Sequence, residues 1–214
     1  MTTAVPWSKF DIDVTSFDVT HWPLSVEKVL NDTENPHHRA ILVNFLHHLT
    51  LEISGRWEEI LEPELTVAHP VYRMCGKGQT TVLDGMAEVA GFYRSVVETG
   101  MNVMGSIVED LYVSDTGVAS ESLWGHIIPG STLTEDEVPD LDPNAHYLVV
   151  SRLAYVFRYD ENAKLLGEFT YDDVASYTYR RLEPHEVITT EQARERLAPV
   201  LARVEALASG GDHA

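Results

Sequence analysis

The stretch Leu65-Thr66-Val67-Ala68-His69-Pro70-Val71-Tyr72-Arg73 decides how the rest of the sequence is read. Its β-branched and aromatic residues predict a short strand, and Pro70 predicts a break in it, because proline locks φ and removes a ladder donor. Pro70 also biases His69 toward extended backbone, so the imidazole is expected to leave the strand at a bend. Before this stretch, residues 36–61 carry helical periodicity. After it, a loop over residues 73–81 with Gly76 and Gly78 leads to Asp84-Gly85 and a second helix through Val97. A helix, a bent strand with a titratable group, another helix and then long strands together predict a small cone-shaped α+β pocket.

Working outward, Pro36 suits the first position of a helix and Asn35 its cap. Ile41, Leu42, Phe45, Leu46, Leu49 and Ile53 recur at helical spacing and predict one apolar face. Ser54-Gly55 stops that helix; Trp57, Ile60 and Leu61 mark a short one closed by Pro63. Met86, Val89, Ala90, Tyr93 and Val97 predict the apolar face of the next, which ends at Gly100. The period then changes to two, which predicts strands over 103–113, 118–128, 147–159 and 165–171 in a curved antiparallel sheet. A last helix is expected over 190–208, capped by Thr189 or Thr190 and kinked or divided by Pro199. Residues 1–35 contain Trp7, Phe10, Phe17 and Trp22 among aspartates, which predicts an ordered arm packed on the domain or on a partner subunit.

Composition narrows the function classes. The net charge of −19 over 214 residues argues against nucleic acid, which is bound by neutralising phosphates, and against anionic membranes. Cys75 is the single cysteine, so no intramolecular disulfide or cysteine-based metal cluster is expected. The histidine pairs at 37–38 and 47–48 lack HExxH or comparable ligand spacing, so no metal is expected. Residues 1–10 show no basic-then-apolar signal pattern, which predicts a cytoplasmic location.

Three stretches carry a family resemblance: residues 65–71, Asp84-Gly85 leading to Gly91-Phe92-Tyr93, and Phe157-Arg158-Tyr159-Asp160 with Lys164-Leu165. Over residues 36–179 the chain resembles the nuclear-transport-factor-2-like superfamily. That group includes ketosteroid isomerases, SnoaL-like polyketide cyclases, scytalone-type dehydratases and limonene epoxide hydrolases. The resemblance implies an α+β, cystatin-like cone of helices packed on a strongly curved antiparallel sheet. It divides the chain into an arm (1–35), the domain (36–182) and a C-terminal helical extension (183–214).

The resemblance also implies a function. It points to an acid–base enzyme without a cofactor, of isomerase, cyclase or dehydratase type, acting on an apolar carbonyl compound such as a steroid, polyketide or terpenoid. The alternative is a non-catalytic small-molecule-binding or assembly domain of the same fold. Ketosteroid isomerases are similar at the bent strand but place their aspartate base before the proline, where this chain has His69. Their second acid aligns with Tyr155 and their oxyanion-hole tyrosine with a position near His47. On that alignment His69 is the expected base, with Tyr155 and either His47 or Tyr72 hydrogen-bonding the developing oxyanion. One of His47 and His48 is expected to face the pocket, since adjacent helical residues cannot both do so.

Glu121 is expected to be either a catalytic acid or the partner of Arg152. Trp57, Tyr93, Trp124, His126, Phe157 and Asp172 are the expected substrate-binding residues, and Glu121, Glu168 and Asp172 the alternative bases. Strands apolar on both faces predict a homodimer through the outer face of the sheet, unless the arm covers it.

Overall fold

The computed structural model describes residues 9–209. The helices are α1 (Pro23–Asn31), α2 (Pro36–Ile53), α3 (Trp57–Ile60), α4 (Met86–Glu98) and α5 (Thr190–Ala208). The strands are β1 (Val71–Gly76), β2 (Gln79–Asp84), β3 (Met104–Ser114), β4 (Gly117–Pro129), β5 (His146–Tyr159) and β6 (Leu165–Arg181). They form one open sheet in the order β2-β1-β6-β5-β4-β3. Neighbours pair antiparallel except β1 and β6, which run parallel. The expected wholly antiparallel sheet is therefore corrected to a mixed one. Bulges interrupt the register at Ser106/Val108, Val150/Arg152 and Arg158/Tyr159, and such insertions bend and twist a sheet.

Local chemistry accounts for most boundaries. The Asn35 side chain accepts from the backbone N–H groups of His37 and His38, and Pro36 opens α2. Gly55, at φ 67°, takes the left-handed turn that ends the helix. Thr189 and Gln192 form a reciprocal capping box on α5, which passes through Pro199 undivided.

Four expectations change. The strand of the opening stretch starts only at Val71, and before Pro70 a single parallel bridge joins Thr66 to Leu165. Residues 73–81 are a hairpin rather than a loop. Lys77 and Gly78, at φ 49° and 73°, make its turn, matching the twist of two antiparallel strands. β6 continues past Tyr171 to Arg181. Inside the arm, α1 is a helix that alternation-poor aromatics did not announce.

The concave face of the sheet packs on α2 around buried Ile41, Leu42, Phe45, Tyr155 and Phe157. Part of the outer face is covered by the arm. The Phe17 ring lies over Gly125, where any side chain would collide, and Trp22 packs closely over Gly105. Asp11 pairs with Arg152 and Lys9 with Asp110. Leu123, Ile127, Leu148 and Val150 are buried within the single chain. Trp7 lies outside the described residues. Among the described residues no helix is long and apolar enough to cross a membrane.

Candidate active site

Helix α2 places His48 and Glu52 four residues apart, on one face, looking toward the concave side of the sheet. Strand β6 brings Glu168 to the same point from 116 positions further along the chain. His48 Nε2 stands 3.5 Å from Glu52 Oε2 and 4.0 Å from Glu168 Oε2. The Tyr93 hydroxyl lies 2.9 Å from His48 Nε2 and 2.9 Å from the Tyr72 hydroxyl, so a chain of polar groups runs behind the carboxylates. His48 and Glu52 side chains are 1% and 5% exposed. Among the described residues no lysine or arginine pairs with either carboxylate, and Glu168 Oε2 is buried without a partner.

Burial sets the protonation here. Desolvation pushes His48 down to about 4, against a smaller upward pull from Glu168, so the ring is neutral near pH 7. Desolvation pushes Glu52 up to about 8. It does the same to Glu168, reinforced by the negative charge of Glu52 and opposed by His48. Two carboxyl groups this close in an apolar site cannot both ionise cheaply, and the pair titrates as a unit that keeps a proton at neutral pH.

Glu52 and Glu168 open onto a cavity of about 320 Å³. Its walls are mainly apolar, with Leu49, Phe92, Val96, Trp124, Leu153 and Phe157 among them. Asp172, Lys77 and Tyr177 bring polar groups, and Leu133 comes from the long β4–β5 connection. Glu137 of that connection holds Lys77 of the β1–β2 turn in an ion pair.

By sequence, neither a protein-family model nor a curated protein matches the chain. By structure it is similar to a Jannaschia protein assigned by name as a SnoaL-like polyketide cyclase. The two are 12% identical over 67% of this chain and 92% of the other, with a TM-score of 0.50. A Shewanella putrefaciens protein assigned the same name is 11% identical over 77% of this chain and 94% of that one, also at 0.50. The fold is that of the SnoaL-like proteins. The resemblance to the nuclear-transport-factor-2-like superfamily thus holds at the level of fold.

Within this SnoaL-like fold the expected site residues part into three groups. Tyr155, Trp124, His126, Phe157 and Asp172 line the cavity. Tyr72 and Tyr93 are buried behind the carboxylates and bond each other. His69, His47, Trp57 and Glu121 do not reach the cavity.

His69 was expected to point into the cone. Its side chain is instead 70% exposed, with Nε2 2.8 Å from Asp84. The backbone N–H of Gly85 bonds the Pro70 carbonyl, which holds the bend against the start of α4 at the outer margin of the fold. The imidazole lies over Gly85, where no side chain competes for the space. Of the adjacent histidines, His48 is the inward one. His47 faces the other way, where burial lowers its pKa against smaller upward pulls from Glu205 of α5 and Glu59. Arg94 lies over the ring of Trp57. Glu121 sits on the outer face, opposite Asp110 and Ala154, and Arg152 is taken by Asp11.

Two cavity residues hold roles other than those expected. The Tyr155 hydroxyl donates to Glu109, which also accepts from Ser25, Ser106 and Ser120. Its proton is committed there, so Tyr155 offers the cavity a ring rather than an oxyanion donor. His126 Nε2 faces the Met101 carbonyl, which can only accept, so that nitrogen carries the proton. Glu52 is the group that sequence reasoning missed. Its signal was present as the i, i+4 spacing of His48 and Glu52.

Proposed function

We propose that the chain is an acid–base enzyme, of isomerase, cyclase or dehydratase type, whose proton-transfer group is the Glu52–Glu168 pair. The observation that carries this reading is the meeting of a buried carboxyl group, a second one largely shielded from water and a neutral histidine at one end of an apolar cavity. Glu168, the more exposed of the two at 13% against 5%, takes a proton from the carbon next to a carbonyl. Glu52, in its protonated form, gives a hydrogen bond to the oxygen on which negative charge develops. The neutral His48 ring stands against Glu52, with the tyrosine pair behind it. A cavity of this size and lining suits an apolar carbonyl compound of polyketide, terpenoid or steroid type.

The test needs no known substrate. In D₂O the protein should catalyse deuterium uptake beside the carbonyl of at least one member of a panel of apolar ketones and β-diketones, read by mass spectrometry. Tight binding of such ligands without exchange, unaffected by Glu52→Gln and Glu168→Gln together, would identify a carrier instead.

We also propose a homodimer through the part of the outer sheet face that the arm leaves bare. Tyr112, Val82 and Tyr171 project there, 62%, 48% and 46% exposed. Sedimentation at micromolar concentration should give twice the chain mass; a monomer would refute it.

A further inference from the structure

We infer that His48, Glu52 and Glu168 form a site for one divalent first-row transition ion, such as Zn²⁺, Co²⁺ or Mn²⁺. This inference rests on ligand geometry and stands apart from the acid–base reading of the same carboxylates. One ligand atom from each residue lies within 4.8 Å of the other two. The distances from His48 Nε2 to the two carboxylates are 3.5 and 4.0 Å. A tetrahedral ion with bonds near 2.1 Å separates its ligand atoms by about 3.4 Å. The two histidine distances are within about 0.6 Å of that value, and the two carboxylate oxygens would have to close by at most about 1.4 Å.

The carboxylate ligand atoms are also available. Glu168 Oε2 is buried without a hydrogen-bond partner, and the Glu52 side chain is 5% exposed. With no lysine or arginine paired to either among the described residues, a divalent ion that displaces the shared proton would offset the charge of both carboxylates. When Nε2 is taken by the ion, the Tyr93 hydroxyl keeps its hydrogen bond to Tyr72. Rigid elements hold the ligands: one turn of α2 supplies two, and the paired strand β6 supplies the third.

The donor set specifies the class of ion. One imidazole and two carboxylates suit zinc, cobalt and manganese, whereas a soft ion such as Cu⁺ would require sulfur. Three protein ligands leave a position open toward the cavity that Glu52 and Glu168 line. His48 Nδ1 has no partner among the described residues, and a missing outer hydrogen bond of this kind weakens a site about 10–100-fold. Binding should therefore be reversible and removable by a chelator.

The test is titration of the untagged, chelator-treated protein with Co²⁺. We expect one equivalent to bind with the intense visible absorption of a four-coordinate ion, and Zn²⁺ to abolish that absorption. This spectrum is read on the parent protein and needs no variant. Glu52→Gln, Glu168→Gln and His48→Gln should each weaken binding at least 10-fold, while replacing the more exposed His37 and His38 by Gln should not alter it. Absence of the spectrum, or its persistence when Glu52 and Glu168 are both Gln, would overturn the site. Deuterium exchange that survives in chelator without Co²⁺ binding would remove the metal site alone. Co²⁺ binding without exchange on any ketone, with or without metal, would remove the acid–base reading alone.

Discussion

Two regions of this molecule pair a histidine with carboxylates, and they differ in almost every other respect. At the margin of the fold His69 Nε2 stands 2.8 Å from Asp84, with the two side chains 70% and 68% exposed. At the inner end of the cavity His48 stands 3.5 and 4.0 Å from Glu52, which is buried, and Glu168, which is 13% exposed. The closer contact is the less consequential. Water screens the His69–Asp84 pair and leaves it little to contribute, whereas burial moves all three inner groups far from their ordinary titration. Desolvation, rather than proximity, separates a candidate site from a surface pair.

The largest expected effect would break or secure that comparison directly. Glu168→Gln keeps the size of the side chain but cannot take a proton, and should lower deuterium exchange about 10²-fold or more. His69→Gln should leave exchange within about twofold of the parent. If His69→Gln abolishes exchange and Glu168→Gln does not, the assignment of the two regions is reversed.

A second experiment sharpens the comparison at the rim. Deleting residues 132–140 removes Leu133 from the cavity and the Lys77–Glu137 ion pair from its polar margin. Affinity for a bound ketone should fall more than the thermal midpoint does. A collapse of stability with affinity unchanged would make the connection structural.

The pH dependence of stability, measured in chelator, gives the next effect. Glu52 and Glu168 have folded-state pKa values raised above the unfolded ones, so their contribution is complete below about pH 4.5. It is lost as pH rises through about 8. His48 is depressed to about 4, so its contribution is present above about 6.5 and is lost as pH falls through 4. The two trends oppose each other at acid pH, and the carboxyl trend stands alone between about 6.5 and 8. Denaturant melts should show the protein losing on the order of 1–3 kcal/mol across that window, and Glu52→Gln with Glu168→Gln should flatten the curve. A parent protein whose stability is level over that window would show that the carboxyl pair holds no proton there. The smallest effect belongs to the outer pair: Asp84→Asn should shift the thermal midpoint by less than about 2 °C, as screened surface pairs do.

Much of the architecture was legible because it depends on neighbours in sequence. Asn35-Pro36 starts α2, Ser54-Gly55 ends it, and Thr189 caps α5, each through bonds within four residues. The change of period at residue 103 marked the long strands for the same reason. The hairpin of residues 71–84 was harder: its second strand, Gln79–Asp84, is almost wholly exposed and so carries no apolar alternation to read. The parallel pairing of β1 with β6 joins segments about a hundred residues apart and leaves no local mark.

By itself the sequence determined helices α2 to α5, the long strands, the acidic composition and the set of side chains able to handle protons. It also held the His48–Glu52 spacing, which places both on one helical face without saying what that face meets. Only the tertiary structure decided that the face meets Glu168 rather than solvent, that His69 turns outward, and that Tyr155 gives its proton to Glu109. The physical reason is that a titratable group acquires its chemistry from what surrounds it. Hydrogen bonds along a helix or across a turn are encoded within a few residues, but desolvation depends on which distant segments pack together.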